Sequence, residues 1–261
     1  MTHPELILIL DYGSQYSQLI ARRVRELGVY SELHPYTLTA EKIRRLQPKG
    51  IILSGSPYST YEKDAPISSP EIFDLGIPVL GICYGLQLIG FQLGGKVDEA
   101  ARREYGHAEV IVDDDTTLFA GFGSNGSPSL TAWMSHGDHL TKAPRGFVSL
   151  AHTGNSPICA IADQARKIYA VQFHPEVVHT PRGTEVLSNF LFRICTCTGG
   201  WNPSQFIGTA VREIRQQVGK GTVICALSGG VDSSVAAVLL HEAIGGQLRC
   251  IHINNGLMRA A

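Results

Sequence analysis

Along the first hundred positions the chain alternates two hydrophobic spacings. Short unbroken apolar runs occur as LILIL at 6–10, GIILSG at 50–55 and PVLGIC at 78–83, and such runs suit strands buried on both faces of a parallel sheet. Between the first two, SQLIARRVREL at 17–27 sets Leu19, Ile20, Val24 and Leu27 on one stripe and turns Arg22, Arg23 and Glu26 outward. That is the pattern of a helix lying on a sheet. The alternation predicts βαβ units and an open, mostly parallel sheet with helices on both faces, an α/β fold.

From about 95 to 175 the character turns β-rich, with EVIVD, FVSLAHT, ICAIAD and IYAVQF separated by turn residues; these read as antiparallel strands added to the same domain. A helix is expected over 183–195, and the small, Gly- and Pro-containing stretch after it marks a boundary. The domain layout expected is 1–197, a linker at 198–205, and a second α/β domain from 206 to 261. That second part reads as a helix (206–218), a strand (221–227), a loop, a helix (232–244) and a strand (248–253). This is one βαβ unit, too little to cover both faces of a sheet, so the second domain is expected to be incomplete here.

Composition narrows the class rather than the fold. With 44% hydrophobic and 17% charged residues and a net charge of −1, the chain can bury a core and offers no electrostatic reason to expect nucleic acid or a membrane surface as partner. No run approaches a membrane span, and LILIL reads as a strand rather than a signal peptide. Six cysteines, irregularly spaced, argue against a disulfide framework and for a cytoplasmic location. Cys195 and Cys197, one residue apart without a second Cys or His pair nearby, read as plain linker residues, not metal ligands.

Candidate chemistry begins at Cys83, which ends a strand and starts a helix inside Gly-x-Cys-x-Gly. Gly81 and Gly85 leave room for the sharp turn of a nucleophile elbow. The helix N-terminus favours the thiolate, and the backbone N–H of Tyr84 faces a developing oxyanion. A partner base is offered by AVQFHPEV, where a strand runs into His174, Pro175 and Glu176; His174 suits proton transfer and Glu176 suits orienting the imidazole. Gly55, in LSGSPYST, lies in another strand-following loop whose amides suit the same oxyanion. Since all three loops follow strands, they are expected to converge on one crevice.

GICYGLQ together with FHPE resembles the class I (triad) glutamine amidotransferases, and LDYGSQYSQLIARRVRE, REYGHAEV, MSHGD and LSGGVDSS narrow the resemblance to the GMP synthetase family. It implies Cys83 as the nucleophile toward the glutamine carboxamide, His174 as acid/base, Glu176 as its orienting carboxylate, and Gly55 and Tyr84 as oxyanion donors. Gln87, Ser135 and His136 match positions lining the glutamine. Asp11, Gly13 and Ser14 belong to the family signature without an assigned chemical step.

The resemblance further implies that ATP adenylates XMP at an ATP pyrophosphatase domain of the adenine-nucleotide α-hydrolase type, and that ammonia displaces AMP to give GMP. Ser228, Gly229, Gly230, Val231, Asp232, Ser233 and Ser234 would then hold pyrophosphate. The loop lacks the lysine of a Walker A motif, and its glycines permit a backbone nest ahead of a helix N-terminus. Asp232 is the candidate Mg2+ ligand, with ATP and Mg2+ as the substrate complex and no prosthetic group. The family's XMP-binding, homodimer-forming carboxyl-terminal domain is not among these 261 residues, so only the glutaminase half is expected of this chain. Two positions depart from the family pattern. Ser56 replaces a glycine and would strain the loop if φ there is positive, and Asn254 replaces an aspartate. Other readings are a glutaminase serving a different acceptor and a silent fragment that only binds nucleotide.

Overall fold

A computed structural model describes residues 5–123 and 128–252, and the chain divides into two compact units, Met1–Gly200 and Trp201–Ala261. The first unit opens with strand β1 (Ile7–Asp11), helix α1 (Ser17–Glu26), strand β2 (Ser31–Pro35), helix α2 (Ala40–Leu46), strand β3 (Gly50–Leu53), a short 3-10 helix (Pro70–Asp74), strand β4 (Val79–Ile82) and helix α3 (Tyr84–Gln92). Two long strands follow, β5 (Lys96–Val112) and β6 (Ser129–Lys142), then β7 (Val148–His152), β8 (Ala160–Asp163), β9 (Ile168–Val171) and helix α4 (Gly183–Ser188).

The nine strands described in this unit form one sheet in the order β2-β1-β3-β4-β9-β8-β7-β5-β6. Strands β2, β1, β3, β4 and β9 pair in parallel, and the remaining pairs are antiparallel. The sequence expectation of antiparallel pairing is therefore corrected at IYAVQF: β9 pairs antiparallel with β8 but parallel with β4, in register Val79 to Ile168. The intervening strands form an excursion from the sheet's middle, and β9 returns to complete its parallel half.

The alternation along β1 explains the two-sided core. Ile7 and Ile9 point into one cluster with Ile20 and Val24 of α1 and Val186 and Leu187 of α4. Leu8 and Leu10 point into the other with Ile43 of α2 and Leu86, Leu88 and Ile89 of α3. Each such fully buried aliphatic side chain contributes roughly 1.5–3 kcal/mol.

The helix expected over 183–195 changes register instead. After α4 the chain runs as a π-helix over Asn189–Ile194. The Asn189 side chain donates at 3.0 Å to both Leu118 O and Ala120 O, tying the register change to a neighbouring loop. Cys195 and Cys197, expected in a linker, are buried in the core beside this segment.

The second unit contains helix α5 (Pro203–Val218), strand β10 (Val223–Leu227), helix α6 (Val231–Ile244) and strand β11 (Leu248–His252), with β10 and β11 parallel. Val211, Ala243 and Ile244 form its small core, with Ile214, Val218, Val223 and Leu248 packed against it. Arg215 Nε donates to Ala243 O at 2.7 Å, satisfying a carbonyl of the last turn of α6. Among the described residues no helix is long and apolar enough to cross a membrane.

Candidate active site

Because β1, β3, β4 and β9 are parallel, their carboxyl ends emerge on one edge of the sheet. A cleft of about 610 Å3 opens there, lined by Gly13 and Ser14 after β1, Gly55 after β3, Cys83 after β4 and His174 after β9. Gln87 of α3 and Ser135, His136 and Asp138 of β6 form another wall.

Cys83 sits at φ +55°, ψ −104°, a backbone conformation that a residue with a side chain adopts only under constraint. The constraint is visible on both sides. Its N–H donates to Val171 O at 2.8 Å, pinning the turn to β9, while Leu86 and Gln87 N–H groups donate to its carbonyl and start α3. The flanking glycines supply clearance rather than unusual dihedrals: a Cβ at Gly81 would meet Gly85 C and O at 2.6 Å, and one at Gly85 would meet Leu53 O at 2.6 Å. Tyr84, as the first residue of α3, has an N–H with no preceding helical carbonyl to bond.

His174 faces the Cys83 sulfur, and its Nδ1 lies 2.7 Å from Glu176 Oε1. Burial alone would push the imidazole down, but the Cys83 sulfur and the Glu176 carboxylate outweigh it and raise the pKa to about 11. Two clamps fix this turn. His174 N–H donates to Trp133 O at 3.0 Å. The Thr180 hydroxyl donates to His174 O at 2.7 Å while accepting the Trp133 N–H at 2.9 Å. Arg23 of α1, which the sequence pattern assigned only to an outward face, donates to Glu176 O at 2.9 Å.

The residues expected to line glutamine come together on one wall. Gln87 Nε2 donates to Asp138 O at 3.0 Å, and His136 Nδ1 lies 2.9 Å from the same carbonyl. Ser135 contributes its carbonyl, 3.8 Å from Cys83 Sγ. Behind this wall lies Glu104, which the sequence reading did not single out. It is opposite His136 in the β5–β6 register and has Oε2 3.1 Å from His136 Nε2. Its carboxylate also accepts from the Thr153 and Ser156 hydroxyls, each at 2.8 Å.

Burial would raise the Glu104 pKa, yet the hydrogen bonds from His136, Thr153 and Ser156 overcome it and hold it at about 2. The folded value lies below the unfolded one. The resulting stability is thus fully present above the unfolded value of 4.5 and is lost as pH falls toward 2. Glu104→Gln is expected to flatten the acid limb of a thermal-stability profile over this range and to cost on the order of 2 kcal/mol near neutrality, once solvent screening is allowed for. Melting temperature against pH for both proteins checks it.

Asp11, Gly13 and Ser14 acquire a structural role: Asp11 Oδ1 accepts from Gly13 N at 2.9 Å and Ser17 Oγ at 2.6 Å, shaping the loop that floors the cleft. The strain expected at Ser56 does not arise. Among the described residues only Gln47, Cys83, Lys167 and Thr196 are non-glycine residues with positive φ, and Ser56 Oγ accepts the Tyr58 N–H at 3.3 Å.

The class-I glutamine amidotransferase model matches residues 8–194. This chain belongs to that family. Within the second unit, residues 221–260 match the HUP domain described for tRNA methyl transferases. Curated relatives include glutamine-hydrolysing GMP synthases of Synechococcus sp., 56% identical over 98% of this chain and 47% of that protein, and of Heliobacterium modesticaldum, 54% identical over 98% and 49%. The chain thus spans about half the length of these relatives. Among solved structures, a Thermoplasma acidophilum protein described as a candidate component of a GMP synthase superposes with a TM-score of 0.64 at 30% identity, covering 74% of this chain and 95% of that one.

In the second unit, residues 228–230 join β10 to α6, and 231–234 form the first turn of that helix. Gly229 adopts φ +81°, and Gly230 caps the helix. The serine hydroxyls are engaged locally: Ser233 and Ser234 donate to Gly230 O at 3.0 and 2.9 Å, and Ser228 Oγ lies 3.1 Å from Ser233 Oγ. Val231 and Asp232 are exposed in the first turn of α6. Among the described residues no group of three or more His, Cys, Asp or Glu side chains could hold a metal ion. Asn254 lies outside the described residues.

Proposed function

We propose that the chain carries the glutaminase of a GMP synthase, together with part of the nucleotide site that consumes its ammonia. The observation that carries this reading is Cys83 on its strained turn, facing His174 that is backed by Glu176, in a cleft large enough for an amino acid. The Cys83 thiolate attacks the glutamine carboxamide carbon, forming the C–S bond and moving the carbonyl electrons onto oxygen. Backbone N–H groups of Tyr84 and Gly55 receive that oxyanion. Collapse breaks the C–N bond, and the His174 proton leaves with the nitrogen as ammonia. Neutral His174 then takes a proton from water as the water attacks the thioester, which releases glutamate and restores the thiolate–imidazolium pair.

The loop Ser228–Ser234 is proposed to cradle the pyrophosphate of ATP. With its hydroxyls engaged internally, the backbone N–H groups at the head of α6 carry most of the anion binding. Mg2+ would come with ATP as part of the substrate, and Asp232 is the protein side chain that would help hold it. XMP is the proposed acceptor, on the strength of the relatives' names and the joined HUP segment.

The test is glutamine hydrolysis in the intact protein with and without XMP and MgATP. In a chain of the relatives' full length one GMP and one AMP are expected per glutamate formed, whereas these 261 residues alone are expected to give glutamate and ammonia without GMP. Glutamine-dependent amination of another acceptor, with XMP inert, would overturn the synthase reading while leaving the glutaminase standing.

A further inference from the structure

Gln172 directly follows β9, two residues before His174, and is fully buried. Its backbone N–H donates to Cys159 O at 2.7 Å, fixing its place in the sheet. A long amide is an ill-suited filler for such a place, since its polar atoms have lost water. Its Nε2 lies 3.8 Å from Cys83 Sγ, and its Oε1 is buried without a partner.

We propose that Gln172 is a further catalytic residue of the glutaminase: its side-chain amide donates to the Cys83 sulfur and selectively stabilises the thiolate. This rests on the reading of Cys83 as the nucleophile. The sulfur has two alternative neighbours that separate its protonation states. As a thiol it donates toward Ser135 O, 3.8 Å away. As a thiolate it has nothing to give that carbonyl and accepts instead from the Gln172 amide, on the β9 side of the cleft. With His174 holding its proton, the charged sulfur has the imidazolium on one side and a neutral donor on another. The donor remains when the proton leaves with ammonia, so it also supports the sulfur as leaving group when the thioester is hydrolysed. The orphaned Oε1 fits this orientation, since turning the amide would aim oxygen lone pairs at the thiolate.

Other titratable groups around this centre include Glu176 behind His174, Tyr16 edge-on to the imidazole at 5.1 Å between ring centroids, Asp138, Glu99, Arg103 and Tyr61 along the cleft, and the His136–Glu104 pair on the opposite wall. Gln172→Met replaces none of these side chains and adds no charge, so a shift in the sulfur's titration in that variant reports the amide.

The experiment compares the intact wild type with Gln172→Met, which keeps the length and removes the donor, and Gln172→Glu, which keeps the shape and adds repulsion. The pH dependence of Cys83 alkylation by iodoacetamide is read beside kcat and KM for glutamine and the melting temperature. Gln172→Met is expected to move the alkylation profile to higher pH by about one to two units and to lower kcat about tenfold or more, with KM within about twofold. Gln172→Glu is expected to move it further in the same direction, and is the deciding variant if the methionine protein does not fold. Superimposed alkylation profiles, or a fall in melting temperature with kcat and the profile unchanged, would overturn the proposal. Ammonia release surviving Cys83→Ala would instead sink the underlying nucleophile reading, so the two failures are distinguishable.

Discussion

Cys83→Ala is expected to lower glutamine hydrolysis at least about ten-thousand-fold while leaving stability within about 1 kcal/mol of wild type. The rate effect is large because Cys83 is the nucleophile that His174 faces, and the neighbouring serines Ser135 and Ser14 are not placed to replace it. Ser135 contributes its carbonyl to the sulfur, and Ser14 Oγ accepts the Tyr16 N–H at 3.0 Å, shaping the loop instead of facing a base. The stability effect is small because the turn is held by backbone contacts, Cys83 N to Val171 O and the first bonds of α3, all of which survive loss of the sulfur. Ammonia release by a coupled assay and melting by circular dichroism measure the two. A variant equally silent but largely unfolded would mean that the turn depends on the sulfur and not on its backbone clamps.

The second large effect is expected at a residue with no side chain. A Cβ at Gly183, the first residue of α4, would strike the carbonyl of Pro175, between His174 and Glu176. Neither partner can give way by rotating a side chain, because the obstacle is backbone. Gly183→Ala is expected to cost about 2–3 kcal/mol, roughly 5–10 °C in melting temperature, and to depress kcat more than KM by moving the imidazole off the sulfur. Gly154 provides a control: a Cβ there meets nothing within 4 Å. Gly154→Ala should therefore stay within about 0.5 kcal/mol of wild type with unchanged kcat. Equal behaviour of the two alanine variants would show that the turn tolerates displacement.

How far these features were legible in the sequence depends on how local they are. Strands β1, β3 and β4 announce themselves as apolar runs, and the elbow at Cys83 is written in five consecutive residues with its strand before and helix after. Edge strand β2, SELHP, is only partly buried and carries no such run. The parallel pairing of β9 with β4 joins positions about ninety residues apart, and the length of its run says nothing of its neighbour. Glu104 and Gln172 were missed for the same reason. Each is an ordinary polar residue on a strand, and only the sheet brings Thr153 and Ser156 to one and the sulfur to the other. The opposite holds at Cys195 and Cys197, where local composition suggests a linker and both lie in the core just after the π-helix.

In the second unit, the glycines and serines of 228–234 suggest a phosphate cradle, which remains a proposal. The hydroxyls turn inward to Gly230 O, which shifts the expected anion contacts to the backbone. Hydroxyl direction is set by the turn, and no residue count conveys it.

The most direct test of Cys83 as the nucleophile of a glutamine site is alkylation by a glutamine analogue carrying a diazoketone in place of the carboxamide, mapped by mass spectrometry on the intact protein. Exposed Cys250 serves as an internal reference thiol. Rapid modification at Cys83 alone, suppressed by excess glutamine and absent in His174→Ala, is the expected result. Modification of Cys83 no faster than Cys250 and unaffected by glutamine would contradict it.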